Sequence, residues 1–418
     1  MRPPLSYAPL GIMIAAAAAP PLAAQGHPGA ALERELLADA GARASFQGAG
    51  PTGGHDGRFF LGSADGNFRL TVSGEVQFRY YGNIDADTEG SDEYVGGFQH
   101  NRVRLDFRGH VIDPRLTYRV QSNFDREDGT MELQDAWGNY AFENGLSLQW
   151  GQFKLLFDRE FAATSATNFL TIEQSLVSSI FRLDRSQGVQ LSYEGDRFRV
   201  AGALSDGRRA SNTASFDDEV EADIALSGRA EVRLGGAAWK QFRDQTSFRG
   251  DRGGALLGVG GHWQQEGATG APSASADDAD LFSYTADAGY EGGGWNVLGA
   301  VTGRLIDFDE DEFHDLGFVV QGGVFLTEKA ELFARYARFF PDDDRSGGAD
   351  EFAAITAGLN YYFVAKSHAA KLTGEVTYFP DSQADSASVV RAPDSGAGLA
   401  PDEDGGQLGF GVQMQLLF

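Results

Sequence analysis

The 418 residues include 60 Asp and Glu against 34 Lys and Arg, a formal net charge of −26. Such a chain is repelled by nucleic-acid phosphates, and that class of partner is excluded. There is no cysteine, and the 55 glycines and 13 tyrosines suit an exported, turn-rich β chain held without disulfides.

In chain order, Met1 and Arg2, the apolar run Leu10 to Ala19 and the small residues Pro20 to Ala24 predict a secretory signal, residues 1–24. Beyond it no segment reaches the roughly 18 consecutive apolar residues of a spanning helix, so a membrane crossing here requires a closed barrel. Residues 25–66 read as a lead-in placed in the periplasm or the lumen. Within it Ala31 to Ala44 predicts a short amphipathic helix with Leu32, Leu36 and Leu37 on one side, and Gly48 to Gly57 predicts a flexible link.

From Asn67 to Phe418 about sixteen segments alternate apolar and polar residues. Successive strand side chains point to opposite faces, so each such segment has one greasy and one wet wall. In the first, Phe68, Leu70, Val72, Val76, Phe78 and Tyr80 alternate with Arg69, Thr71, Ser73, Glu75, Gln77 and Arg79. The second sets Val103, Leu105, Phe107 and Val111 against Arg102, Arg104, Asp106, Arg108 and His110. The fourth, Met131 to Phe142, is irregular, because Asp135 and Asn139 share a face with Leu133 and Trp137. The last, Gln407 to Phe418, places Leu408, Phe410, Val412, Met414, Leu416 and Phe418 on one side. The expected fold is all-β, a 16-stranded antiparallel transmembrane barrel over residues 67–418 with a short N-terminal helical lead-in.

Link lengths alternate long and short, as expected of a barrel with outer loops and periplasmic turns. Gly303 to Asp315 counts among the long ones. Leu234 to Gly254 breaks the pattern, being long for a turn, and Arg126 to Thr130 is short for a loop. Tyr80, Tyr81, Trp150, Tyr193, Trp263, Tyr290, Trp295, Tyr361 and Tyr378 read as interfacial girdles. Register carries an energy: one arginine turned to lipid costs roughly 2–4 kcal/mol, so a one-residue slip of the second strand would cost on the order of 6–12 kcal/mol. Arg102, Arg104 and Arg108 therefore face the lumen.

The third outer loop, 152–187, carries Phe153, Leu155, Phe157, Phe161, Phe169, Leu170, Ile172, Leu176, Ile180 and Phe181, which are unfavourable in open water. It is expected to fold into the pore. That brings its basic residues Lys154, Arg159, Arg182 and Arg185 toward the wall residues Arg102, Arg104, Arg108 and Arg119, an arrangement suited to binding small anions. The competing reading pairs these groups with Asp106, Glu75, Asp125, Glu160, Glu173 and Asp184 as wall braces. Acidic stretches such as Asp85 to Glu93 and Asp307 to Asp315 read as solvated loops among lipopolysaccharide groups. In the run Asp307, Asp309, Asp311, Glu312 stands where a calcium loop needs glycine, so no metal site is assigned.

Gly151-Gln152-Phe153-Lys154 with Phe157, then Glu173 and Ser175, then Arg185 with Gly188-Val189-Gln190-Leu191, and later Gly358-Leu359-Asn360-Tyr361-Tyr362-Phe363, resemble the recurring motifs of the phosphate-selective porin O/P family. The resemblance implies an outer-membrane porin of a Gram-negative bacterium, trimeric and passing small anions. Two positions depart from the family's pattern: Leu156 stands where proline is usual, and Gln174 where an arginine is common. The expected function is passive diffusion of small hydrophilic solutes with a preference for anions such as phosphate. The alternatives are a general-diffusion porin and a barrel enzyme. Neither Gly-x-Ser-x-Gly nor His-Glu-x-x-His occurs, so no catalytic residues and no cofactor are expected. The expected partners are outer-membrane lipid, lipopolysaccharide, small anionic solutes and two further copies of the chain.

Overall fold

The alternation in the sequence becomes a ring of antiparallel strands. The computed structural model describes residues 52–84, 94–214, 219–271, 279–308, 311–345, 351–382, 390, 398–399 and 405–418. The expected signal and the helix at 31–44 lie outside the described residues.

Two short strands, β1 (Thr52–His55) and β2 (Phe59–Gly62), form a hairpin. The wall follows as β3 (Arg69–Ile84), β4 (Tyr94–Val111), β5 (Asp113–Phe124), β6 (Met131–Ala141), β7 (Leu146–Lys154), β8 (Arg185–Glu194), β9 (Phe198–Ser205) and β10 (Ile224–Gly235). It continues as β11 (Gly254–Gln265), β12 (Asp280–Gly292), β13 (Trp295–Phe308), β14 (Asp311–Phe325), β15 (Ala330–Phe340), β16 (Phe352–Tyr362), β17 (Ala370–Phe379) and β18 (Gln407–Leu417). Each of these pairs with the next, and β18 returns to β3, so sixteen of the eighteen strands close the barrel. The seam runs from Leu417 opposite Glu75 to Leu408 opposite Ile84. It ends where Gly74 and Phe418 exchange backbone hydrogen bonds of 2.8 and 3.0 Å. A Cβ at Gly74 would lie 2.4 Å from the Phe418 ring, so the seam takes no side chain there.

On β18 the outward Leu408, Val412 and Leu416 are exposed, while Gln407, Gln413 and Gln415 are buried inside, the sidedness that lipid outside and polar groups inside require. Of the aromatics expected in the girdles, Trp150, Trp295, Tyr361 and Tyr378 are exposed. Tyr81 is not among them: it points inward, and its hydroxyl donates to Glu375 at 3.1 Å.

Three local departures from the expected pattern have physical reasons. Thr52–His55, inside the expected flexible link, is a strand. Because β18 stops opposite Glu75, residues Arg69–Val72 of β3 would present a bare edge, and β2 pairs with them. The irregular fourth strand contains a bulge: Leu133 lies opposite Ser122 and Asp135 opposite Gln121, with Gln134 inserted between. Leu133 and Asp135 therefore fall on opposite faces. Finally, the link expected over Gly303 to Asp315 shrinks to residues 309–310, since β13 and β14 continue as a paired hairpin to Phe308 and Asp311. Ile306, Phe308 and Phe313 pack together there with Leu281, and Arg304 and Arg345 both reach Asp315, at 2.7 and 2.6 Å.

Candidate functional site

Residues 155–184, between β7 and β8, fold inward, because only the lumen offers this apolar segment something to pack on. Phe157, Phe169, Leu170 and Ile172 are each at most 1% exposed. A six-residue helix, α1 (Leu176–Phe181), capped by the Ser175 hydroxyl, lies on β13–β15 and packs with Val319, Ala337 and Phe339. Its close approach needs Gly317, where a Cβ would meet Phe181 and Val177 at 2.9 and 3.1 Å.

Between these apolar contacts the loop's backbone must find hydrogen-bond partners away from water. Lumen side chains supply them. Gln415 donates to Thr167 O at 3.1 Å, Lys371 to Phe169 O at 2.8 Å and Asn360 to Leu170 O at 2.7 Å. Arg335 donates to Glu173 O at 2.8 Å, and Glu375 accepts from Ile172 N at 2.9 Å. Glu160 receives Ser175 and an ion pair from Arg335 at 3.5 Å.

Glu173 is the loop's anchor on the opposite wall. Arg102 donates to it at 2.7 Å, Asn101 at 2.7 Å and Arg79 at 3.3 Å. Asn101 and Arg102 are neighbours in sequence, yet both reach inward. A bulge makes this geometry: Phe78 pairs with His100 and Gln77 with Arg102, leaving Asn101 as the inserted residue. Burial alone would raise the Glu173 carboxyl, but Arg102 and Arg79 outweigh it and hold it at about 2.

Among the described residues, two cavities lie along the β3–β8 side. One, of about 450 Å³, is bordered among the described residues by eight cations (Arg79, Arg102, Arg104, Arg126, Lys154, Arg182, Arg185 and Arg209) against three carboxylates, Asp125, Glu173 and Asp184. The other, of about 480 Å³, contains Arg58, Arg104, Arg108 and Arg119 against Glu75 and Asp106. Arg104 borders both. Across from it the loop presents Ala166 and Phe169 to the first cavity and Ser165 and Thr167 to the second. Arg104 and this turn of the loop thus stand where the linings of the two cavities overlap.

Of the eight cations singled out from the sequence, Arg102, Lys154, Arg182 and Arg185 gather in the first cavity, Arg108 and Arg119 in the second, and Arg104 joins them. Arg159 stands apart, buried against Glu291 at 2.6 Å with its guanidinium 5.6 Å from the Phe242 ring centroid. Many of these groups are paired. Arg104 meets Glu75 at 3.1 Å, Arg108 and Arg119 share Asp106, Arg119 and Arg185 share Asp135, and Arg182 reaches Asp184 at 3.3 Å. Asp135, the residue that broke the fourth strand's pattern, thus ties β5 to β8. Glu160 pairs with Arg335, outside the expected set.

Lys154 and Arg126 make no ion pair among the described residues. Lys154 donates to Phe161 O at 2.8 Å and lies 4.1 Å from that ring's centroid, while Arg182 lies 5.1 Å from it. Arg126 donates to Gln99 at 3.2 Å. Sequence reasoning left Arg79, Arg126, Arg209 and Arg58 out of the site. Arg79 carried a signal, its place on the inward face of the first strand; the other three lie in links, where no periodicity points.

The sequence matches the family model of phosphate-selective porin O and P over residues 78–250, which bears out the resemblance drawn from the motifs of that span. No curated protein matches it significantly. Solved structures share the fold at low identity. OmpT of Vibrio cholerae, in a trimer form, has a TM-score of 0.53 at 14% identity, covering 84% of this chain and 99% of its own. Salmonella typhi OmpF, in complex with daunomycin, has 0.57 at 11%, covering 84% and 98%. Pseudomonas putida OprB has 0.54 at 12%, covering 84% and 94%. The fold is that of outer-membrane porins of Gram-negative bacteria, and the partial family match agrees with it.

Proposed function

We propose that this porin conducts small anions, phosphate among them, along the β3–β8 wall. The supporting observation is the lining of the first cavity, where cations outnumber carboxylates and two of them, Lys154 and Arg126, have no carboxylate partner among the described residues. A guanidinium offers bidentate donors to phosphate or carboxylate oxygens, and an ammonium adds a point charge. Arg104 then meets every ion that passes from one cavity to the other. Planar-bilayer recording tests this directly. In a salt gradient the reversal potential should have the sign of anion preference, and added phosphate should reduce chloride current.

General diffusion without selectivity is the second reading. The ion pairs of Asp106, Asp135, Glu75 and Glu173 favour it, since they neutralise much of the arginine charge. A reversal potential near zero with no phosphate block would establish it.

The assembly we propose is a homotrimer seated in outer-membrane lipid and lipopolysaccharide, the state implied by the family resemblance and consistent with the trimer form of OmpT. Cross-linking in detergent should give a three-chain limit.

A further inference from the structure

At the end of the barrel where links are short, the turns span residue 112, 142–145, 195–197, 293–294, 326–329 and 363–369, whereas β10 and β11 are joined by residues 236–253. The middle of the extra length is buried. Within it Phe242 and Ser247 are 0% exposed and Thr246 1%. Its contacts are with the inward Tyr362 and a neighbouring turn: the Thr246 and Tyr362 hydroxyls lie 3.0 Å apart, and Asp244 meets His368 of the turn 363–369 at 2.8 Å.

The segment also reaches the inward loop that comes from the opposite mouth. Leu170 N donates to Gln245 Oε1 at 3.0 Å, and Gln245 N donates to Asn168 O at 3.2 Å. Asn168 and Leu170 flank Phe169, next to the turn that faces Arg104. Beyond this junction the inward faces of β11–β17 are dry: Gln264, Glu331 and Asn360 are 0% exposed, Glu291, Gln321 and Lys371 2%. Side chains around them close these groups off from solvent.

We infer that residues 236–253 are an inner plug, a second pore-shaping element that clasps the inward loop through Gln245, closes the β11–β17 half of the lumen and so confines solutes to the basic lane. Phe242 and Gln245 are positioning residues: they touch no solute and set the width of the passage through the loop's tip. The inference rests on the channel and not on its anion preference. Conductance and size exclusion report the plug, while the reversal potential of the wild-type protein reports the preference.

The test is the double variant Phe242→Ala/Gln245→Ala, refolded in detergent and checked for the wild-type strand content. Unitary conductance in symmetric KCl should rise at least about two-fold, and liposome swelling should admit neutral sugars that the wild type excludes. Unchanged conductance and unchanged sugar cut-off in the folded variant would overturn the proposal. Should the double variant not fold, Gln245→Ala alone removes the one side-chain acceptor and keeps the aromatic packing. Its open-channel current should fluctuate more than that of the wild type, and an equally quiet open level would overturn the clasp.

Discussion

Arg104 of β4 and Glu75 of β3 face each other across one rung of the barrel, Nη1 to Oε1 at 3.1 Å, at the level where the two cavities meet. A fixed positive and a fixed negative charge thus stand together on the second cavity, and Arg104 borders the first as well.

Replacing Arg104 by Gln leaves Glu75 facing the passage without its partner. The anion-to-cation permeability ratio should fall several-fold, read as a shift of reversal potential in a KCl gradient. Glu75→Gln should shift it the other way. Opposite shifts would show that both charges act on the passing ion.

Glu173 holds the loop to the wall through Arg79 and Arg102, both nearly buried. Removing one member of such a group strands the others, a loss of about 3–5 kcal/mol. Glu173→Gln should therefore lower the midpoint of denaturant unfolding measured in detergent, and make the open-channel current noisier. Asn101→Ala, which deletes one hydrogen bond to a charged group, should cost about 1.5–3 kcal/mol by the same measurement.

The same carboxylate gives a pH dependence. Its value is lowered from the ordinary 4.5 to about 2, so its contribution to loop docking is fully present above about 4.5 and is lost as pH falls through about 2. Single-channel noise should stay at its neutral-pH level at pH 5.5 and rise as the bath approaches pH 2.

Gln174 lies on the first cavity, buried beside Glu173, where the family commonly has an arginine. Gln174→Arg should increase anion preference and lower the phosphate concentration that half-blocks chloride current, by several-fold.

Gly74→Val should weaken the seam, because its Cβ would stand 2.4 Å from the Phe418 ring and 3.0 Å from the Arg104 carbonyl oxygen. The temperature at which the folded barrel converts to the slow-migrating unfolded form on electrophoresis should drop.

The strands were legible because a period of two is written residue by residue, and every one of the sixteen alternating segments overlaps a wall strand. Inward folding of residues 155–184 was legible from its apolar content. The bulges at Asn101 and Gln134 were not, since a single inserted residue leaves the composition of the strand unchanged and shows only as a broken alternation, as at Asp135. Arg159 illustrates a second limit. Loop sequence tells which residues are basic but not which wall they meet, and this one crosses to Glu291 instead of joining Arg102. The length of 236–253 stood out as an anomaly; its destination depends on Tyr362, His368 and Leu170, distant in sequence.

The seam between β3 and β18 also constrains how the ring comes into being. Gln77 and Gln415, hydrogen-bonded at 2.8 Å, are 338 positions apart, far beyond the separation of any other adjoining wall strands. Every other rung joins neighbours along the chain and can zip locally, whereas this one carries the largest loop-closure entropy in the molecule. Before it forms, the sheet has two bare margins able to pair with another chain. The barrel is therefore most vulnerable to aggregation just ahead of closure, and the hairpin that covers Arg69–Val72 shortens one of those margins.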